Sequence, residues 1–450
     1  MCLDILALSF EDLPRHLKWC FLYFSSLPED FKIGIDRLIG LWIAEGFVKK
    51  RSGETLEETA EGYLQDLVQR CMVIVVRDVY VDPWVIRMPE FVLSCRIHDL
   101  LHDFTIAEAK ELGFLSTPRL RTLLSFGTYR NFDINRTFPI TDLKLLRVVD
   151  LEWASIDELP KQVGDLIHLR YLGLKNTKIT SLPSSVGQLR RLQCLDAEGT
   201  GIKTMPKGVW KIETLRKVLV PFTVEPEMLV RAGRWIDSCL GSLTSLRELQ
   251  ITGIEGCHHS ALLSWLPKLP RLKKLLLQGA SIPDCLWRPS GFSSLQVLSL
   301  IGTVTRPPQH SSSGGDQWLP SLTELILSYT SLCQDSIAAL EKLPELTYLF
   351  LGHGSYVGKQ MLCSRGGFPQ LEEWVIEAGA MPRLRSLKIY DCTKLEMLPE
   401  GLRRMAALKD LTLLNMSPDI CSRAEKEGED WPKIQHIPSI TISAINPYLL

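Results

Sequence analysis

From residue 146 to residue 220 the apolar positions return in one phrase at a fixed interval. Leu146, Leu169, Leu192 and Leu215 stand 23 residues apart. Each opens a short alternation: Leu146-Val149-Leu151, Leu169-Leu172-Leu174, Leu192-Leu195-Ala197 and Leu215-Val218-Val220. Pro160, Pro183 and Pro206 keep the same spacing, each preceded by an apolar pair: Ile156 and Leu159, Ile179 and Leu182, Ile202 and Met205. A two-residue alternation predicts a strand with one buried face, whereas a core helix would show a period near 3.6. One such strand cannot close a core, so neighbouring units must stack and share a continuous one.

The combined phrase L-x-x-L-x-L followed by I-x-x-L-P is the leucine-rich-repeat signature. The strand opening recurs at Leu120 before this block and at Leu246, Leu272, Leu295, Leu322, Leu346, Leu371, Leu384 and Leu408 after it. Most steps are 23 to 27 residues, but Leu215 to Leu246 is 31 and Leu371 to Leu384 only 13. Thirteen residues cannot make a full coil. One of the last pair is therefore expected outside the ladder or as the product of a deletion. Pro307 to Gln317, with its Ser-Ser-Ser-Gly-Gly run, reads as a loop.

Upstream the period changes to that of helices. Pro14 suits the first turn of a helix through Phe24, Leu27-Pro28-Glu29-Asp30 breaks it, and Asp36 is a candidate cap for a second helix that Gly46 ends. Thr55 with Glu58 forms a capping box for a third helix to about Arg70. Cys71 to Val76 reads as a strand, Arg77-Asp78 as the start of a turn, and the return through Val92 as irregular. Three helices and a β-ribbon make a winged-helix arrangement, which raises DNA reading as a possibility. The candidate recognition helix, Ile35 to Glu45, has one base, two acids and a nearly continuous apolar surface. It is built to be buried, and nucleic acid is not an expected partner. The expected fold class is α/β: a leucine-rich-repeat solenoid with an N-terminal, mainly helical winged-helix domain. Domains are expected at 1–112 (winged helix), 113–425 (repeats) and 426–450 (C-terminal tail).

Charge refines this only slightly. Residues 1 to 110 hold 12 Lys and Arg against 18 Asp and Glu, while the rest holds 39 against 34. The asymmetry is that of two solvated units and not of a nucleic-acid binder. Twelve cysteines in 450 residues fall below the density of a disulfide scaffold, so reduced thiols are expected. Asp4 interrupts the first apolar stretch, which lacks a basic flank, and no transmembrane run is evident.

The chemistry-bearing candidates are weak. His98 and His102 share a helix face, but the zincin pattern needs Glu after the first His and a third ligand. Cys257-His258-His259 lacks a fourth ligand of suitable spacing, so no metal site is expected. No catalytic Ser-His-Asp or Cys-His constellation stands out, and the chain is not expected to be an enzyme.

The N-terminal residues carry a resemblance. Leu13-Pro14-Arg15-His16-Leu17-Lys18, Cys20-Phe21-Leu22-Tyr23-Phe24-Ser25, Leu27-Pro28-Glu29-Asp30 and Leu41-Trp42-Ile43-Ala44-Glu45-Gly46-Phe47 closely resemble plant intracellular nucleotide-binding leucine-rich-repeat immune receptors, the disease-resistance proteins. Ile97-His98-Asp99 is similar to the family's Met-His-Asp motif, with Ile for Met. Trp431-Pro432-Lys433-Ile434-Gln435-His436-Ile437-Pro438 looks like the tail of grass members. The family is of the coiled-coil type, with a signalling domain and a phosphate-binding loop upstream of the winged helix. No G-x-x-x-x-G-K-[ST] occurs in this chain, so it reads as a truncated receptor.

The resemblance implies innate immunity: a cytoplasmic protein whose repeats bind a pathogen effector or a guarded host protein. It also implies ADP or ATP as the cofactor of full-length members, with His98 and Asp99 at the nucleotide. The isolated chain is expected to hold none. The alternative is a switch fragment that keeps nucleotide contact through His98. Solvent positions on the repeat strands are the expected partner-binding set: Arg170, Tyr171, Lys273, Tyr348, Phe350 and Tyr390. Arg170, Tyr171 and Lys273 are expected to hold the acidic winged-helix unit in an intramolecular contact, and the other three to meet the foreign ligand.

Overall fold

The computed structural model describes residues 2–79, 91–111, 120–126, 143–202, 205–219, 243–283, 292–304 and, with short gaps between 353 and 393, 319–444. The expected loop at Pro307 to Gln317 lies outside the described residues. The chain divides into two compact units, Met1–Gly201 and Ile202–Leu450.

The first unit opens with α1 (Cys2–Glu11), α2 (Arg15–Leu22), the strand pair of residues β1 (Ile33–Gly34), α3 (Ile35–Glu45) and α4 (Leu56–Gln69). The ribbon β2 (Ile74–Val79) and β3 (Phe91–Arg96) follows, then α5 (Asp99–Glu111). The helix boundaries follow local chemistry. Pro14 precedes α2, where its missing N–H costs nothing. Thr55 and Glu58 close a reciprocal capping box on α4. Gly46 ends α3 in the left-handed region at φ 86°, where a Cβ would be strained.

Two local expectations change. The residue capping α3 is Gly34, and Asp36 lies inside the first turn. Strand β2 runs straight through Arg77 and Asp78, which pair with Leu93 and Val92 in the antiparallel order β1-β3-β2. Within the described residues the return is regular from Phe91, where continuous pairing to β3 outweighs the local turn preference of Arg-Asp; residues 80–90 lie outside the described residues.

Four repeat strands complete the first unit: β4 (Thr122–Leu124), β5 (Val148–Asp150), β6 (Tyr171–Gly173) and β7 (Cys194–Asp196), all parallel and in register. Leu169, Leu172 and Leu174 are fully buried, as the alternation requires. Pro160 and Pro183 each start a short 3-10 turn at φ −65°, the value the ring imposes. A Cβ on Gly164 would sit 2.5 Å from that of Ser185, so the small residue lets successive turns stack closely.

The second unit continues the motif through β8 (Lys217–Leu219), β9 (Glu248–Ile254), β10 (Lys274–Ile282), β11 (Val297–Val304), β12 (Glu324–Ser328), β13 (Tyr348–Leu351), β14 (Gln360–Leu362), β15 (Glu373–Ile376), β16 (Ser386–Tyr390), β17 (Asp410–Met416) and β18 (Ser439–Ala444). Strands β8 to β13 pair in sequence order and then with β15. Strand β16 belongs to a second parallel sheet, ordered β14-β16-β17-β18. The 13-residue step therefore marks a change of sheet: the strand after Leu371 ends one ladder, and the strand after Leu384 lies in another.

Residues 426 onward are more than a tail. Between α6 (Pro418–Ala424) and α7 (Trp431–Ile434), Asp430 is buried, accepting from the Leu398 amide at 2.9 Å and pairing with Lys433 at 2.8 Å and Arg423 at 3.3 Å. Strand β18 then adds a parallel rung to β17.

Candidate protein-binding faces

Helix α3 is where the helical part of the first unit meets its repeat strands. Leu38, Ile39, Leu41, Trp42, Ile43 and Ala44 are all buried, and Trp42 packs edge-on to Phe24 at 6.4 Å. The same apolar core includes Val148, Tyr171 and Cys194 from β5, β6 and β7. Those three residues occupy one position in successive repeats, two after the first leucine. Tyr171, expected on an open face, is only 4% exposed because α3 covers it. A Cβ on Gly40 would lie 3.1 Å from the tyrosine ring, so the missing side chain is what admits the ring.

Charge fastens both ends of α3. Near its start, the Arg37 guanidinium reaches Asp150 at 2.8 Å and Glu152 at 2.5 Å. Burial opposes the charge on Arg37, but the two carboxylates outweigh it and raise its pKa further above the ordinary arginine value. At the other end, Arg147 donates to the Glu45 carbonyl at 2.5 Å and Arg170 to the Ala44 carbonyl at 3.3 Å. Cations at a helix C-terminus complement its carbonyl dipoles. Burial lowers the Arg170 pKa, and neighbouring Arg147 and Arg191 lower it further. The Glu45 carboxyl, bonded by Thr122, is pushed up by burial against the pull of Arg147, Arg121 and Arg170.

Arg170 and Tyr171 thus meet the helical unit. Arg37, Gly40, Glu45, Arg147, Asp150 and Glu152 complete the contact and were not foreseen. A signal for part of it exists: Arg147 and Arg170 each follow the first leucine of a repeat, 23 residues apart, and Arg37 is the one base of α3.

The other expected residues lie in the second unit. Lys273 is half-buried and follows Arg216 and Arg247 in one row, linked by the Lys273 amide donating to the Arg247 carbonyl at 2.8 Å. Tyr348 is half-buried on β13, between Glu324 and Glu373 of the adjoining strands. Burial raises the pKa of its phenol well above the ordinary value, helped by Glu373 and Glu324. Phe350 corrects the expectation of a solvent position: it is 2% exposed, with Ile326 and Val375 as its ladder neighbours. Tyr390 closes β16, so it belongs to the second sheet and not to the ladder of Tyr348.

At the head of α5, His98 is exposed and its Nδ1 accepts the Leu100 amide at 3.3 Å. Asp99 is the first residue of that helix. His102 is buried, its Nε2–H donating to the Leu27 carbonyl at 2.9 Å. The two histidines therefore do different things and do not converge as ligands. Among the described residues no group of three or more His, Cys, Asp or Glu is placed to hold a metal ion. One exposed imidazole beside a carboxylate does not make a nucleotide site, since several donors are needed to hold phosphates. The residues present do not fit ADP by themselves. No described helix is long and apolar enough to cross a membrane.

Comparison with known proteins agrees with this architecture. A leucine-rich repeat region model matches residues 120–416, and a disease resistance protein winged helix domain model matches residues 27–105. Disease resistance protein RPP8 of Arabidopsis thaliana is 31% identical over 97% of this chain and 54% of its own length. Disease resistance protein RPH8A of the same plant is 29% identical, with the same two coverages. The chain spans about half the length of these relatives. A leucine-rich-repeat protein of Leptospira interrogans aligns with 76% of this chain and 88% of its own, at 18% identity and a TM-score of 0.37. The chain belongs to the leucine-rich-repeat family, in the disease-resistance group that joins a winged helix to the repeats.

Proposed function

We propose that this chain is a recognition module of plant innate immunity that acts in the cytoplasm without catalysis of its own. Its repeats bind a pathogen effector or a host protein under guard, and its winged helix docks on the first repeats. The observation that carries this reading is α3 seated over Tyr171 between two sets of charged contacts. The inner face of β5 to β7 is used internally, so the partner is assigned to the ladder of the second unit, around Tyr348. Lys273 is reassigned from the winged-helix contact to that ladder, beside Arg247.

A library of pathogen proteins screened against the full chain supplies a partner, whose affinity is then measured by titration calorimetry. Tyr348→Ala should weaken it about tenfold or more, as truncation of an aromatic anchor does. An affinity within a factor of two of the parent chain would remove this face as the recognition surface.

A further inference from the structure

We infer that Arg121, Arg147 and Arg170, one row across the first unit's strands, form with Arg191 a binding site for a phosphate dianion. The inference is separate from the partner face around Tyr348 and does not depend on it.

The row follows from the repeat. Each of the three arginines is the residue after a leading leucine, at Leu120, Leu146 and Leu169. The ladder sets them on adjoining rungs: the Arg147 amide donates to the Arg121 carbonyl at 2.6 Å, and the Arg170 amide to the Arg147 carbonyl at 2.8 Å. Neighbouring strands lie about 4.8 Å apart, so like charges stand side by side, an arrangement that costs stability. The place of the Cβ that Gly46 lacks is 3.3 Å from a terminal nitrogen of Arg170 and 3.7 Å from one of Arg147. These two guanidinium groups therefore converge beside the carbonyl end of α3. Arg191 acts on the same group: burial lowers the Arg170 pKa, and Arg147 and Arg191 lower it further against the pull of Glu45.

The surroundings supply little counter-charge. The next row along these strands is Thr122, Val148, Tyr171 and Cys194, none of them charged. In the second unit the corresponding row alternates in sign, and Lys217 pairs there with Glu248 at 2.8 Å. Glu45 is the carboxylate that α3 brings to the arginines, and its burial opposes ionisation against the pull of Arg147, Arg121 and Arg170. One carboxyl faces four arginines.

Capping of α3 does not account for all four. Arg147 donates to the Glu45 carbonyl, Arg170 to the Ala44 carbonyl, and Arg191 to Nδ1 of His168 at 3.1 Å. Each guanidinium has five N–H donors in a planar fork, so donors remain for an oxyanion. A phosphate suits them better than a carboxylate does. It brings nearly two negative charges and three acceptor oxygens, enough to meet several forks at once. Arginine pairs with it bidentately, where lysine acts as a point charge. Arg121 and Arg191 are exposed while Arg147 and Arg170 are half-buried, so solvent reaches the group and its inner part is sheltered from screening.

The probe is inorganic phosphate, titrated into the full chain at about pH 7.5, where the second phosphate proton is lost, and followed by phosphorus NMR. N-acetylphosphoserine amide is the second ligand, carrying the same dianion on an amino acid. Phosphate should bind with a Kd of about 1 mM or tighter, and acetate at least about tenfold more weakly. Arg121→Gln with Arg191→Gln, which spares both bonds to α3, should weaken phosphate binding about tenfold or more. Arg403→Gln with Arg404→Gln, an equal charge change at exposed residues of the second unit, should leave it unchanged. Circular dichroism establishes that each variant is folded. If the first double variant is not, Arg191→Gln alone should still weaken binding about threefold. No binding of either phosphate ligand at about 10 mM overturns the inference, as does equal binding of acetate. A folded arginine-row variant within a factor of two of the parent also overturns it, and so does an equal loss in the Arg403 and Arg404 variant. Binding of the phosphoserine compound identifies a phosphate carried on a protein as an occupant, and binding of inorganic phosphate alone restricts the site to the free anion.

Discussion

Replacing Arg37 with methionine tests whether charge pins the winged helix to the repeats. The Arg37 side chain is 17% exposed, while its partners Asp150 and Glu152 are 1% and 14% exposed. A unit pair 2.8 Å apart attracts by about 6 kcal/mol gross at an effective dielectric of ~20, and desolvation offsets most of that. Removing one partner leaves the other buried and uncompensated, at a cost of about 3 to 5 kcal/mol. Asp150 would keep the Glu152 amide at 3.2 Å, which places the expected cost near the lower figure, about 3 kcal/mol. Hydrogen exchange of α3 in the full chain should then accelerate roughly a hundredfold. Adding Asp150→Asn removes the orphaned charge and should recover at least about 1 kcal/mol. Acidification should help the single variant as well. Burial already raises the Glu152 pKa despite Arg37 and Lys175, and losing Arg37 raises it further. A raised folded pKa means stability is present at low pH and lost as pH rises through that value. The Arg37→Met defect should therefore shrink between pH 7 and pH 5. A cost below about 0.5 kcal/mol, or one unchanged by Asp150→Asn, would show that the ion pair does not hold α3.

Leu172→Ala, at a fully buried repeat position, should cost roughly 2 to 5 kcal/mol in urea unfolding, whereas Arg170→Ala should cost about 1 through its bond to Ala44. For the last coil, burial raises the Asp430 pKa, but the Leu398 amide, Lys433 and Arg423 outweigh it and hold the carboxyl below its usual value. Its contribution is thus present above the ordinary carboxylate range and lost as pH falls through the lowered value, so exchange in β18 should rise on acidification below about pH 4 in the parent chain and change less in Asp430→Asn. Calorimetry with ADP should show no binding at micromolar nucleotide that His98→Ala abolishes; such binding would restore the nucleotide reading.

What the sequence disclosed and what it concealed divide along the range of the interactions. The 23-residue phase located β5, β6 and β7, and Thr55 with Glu58 located the start of α4, because each depends on neighbours a few residues away. Tyr171 and Phe350 defeat the same reading. Strand alternation assigns both to the open face, yet one is covered by a helix more than a hundred residues earlier and the other is enclosed by its ladder. Strand β18 was legible in principle, since Ser439-Ile440-Thr441-Ile442-Ser443 alternates. The 13-residue step was visible as an anomaly, but only pairing could show that a sheet ends there.

The leucine framework also explains how one protein can keep internal and external contacts separate. Each coil commits its leucines to the core and leaves the positions between them unconstrained by it, so changing a row alters recognition without altering the stack. In the first unit the position after the leading leucine is Arg147 and Arg170, and both serve the carbonyl end of α3. The helix that a DNA-binding winged helix would present to a groove has its one base engaged by Asp150 and Glu152 and its apolar side buried. In this chain that helix packs on the repeat strands of its own unit. In the second unit the same position is basic at Arg216, Arg247 and Lys273 and acidic by Glu372, with uncharged residues between. A gradient of that kind does nothing for the core, where Leu249, Leu275, Leu298, Leu325 and Leu349 are uniformly buried. Its consequence falls on the exposed side of the ladder, whose charge changes from strand to strand while the leucines beneath it do not.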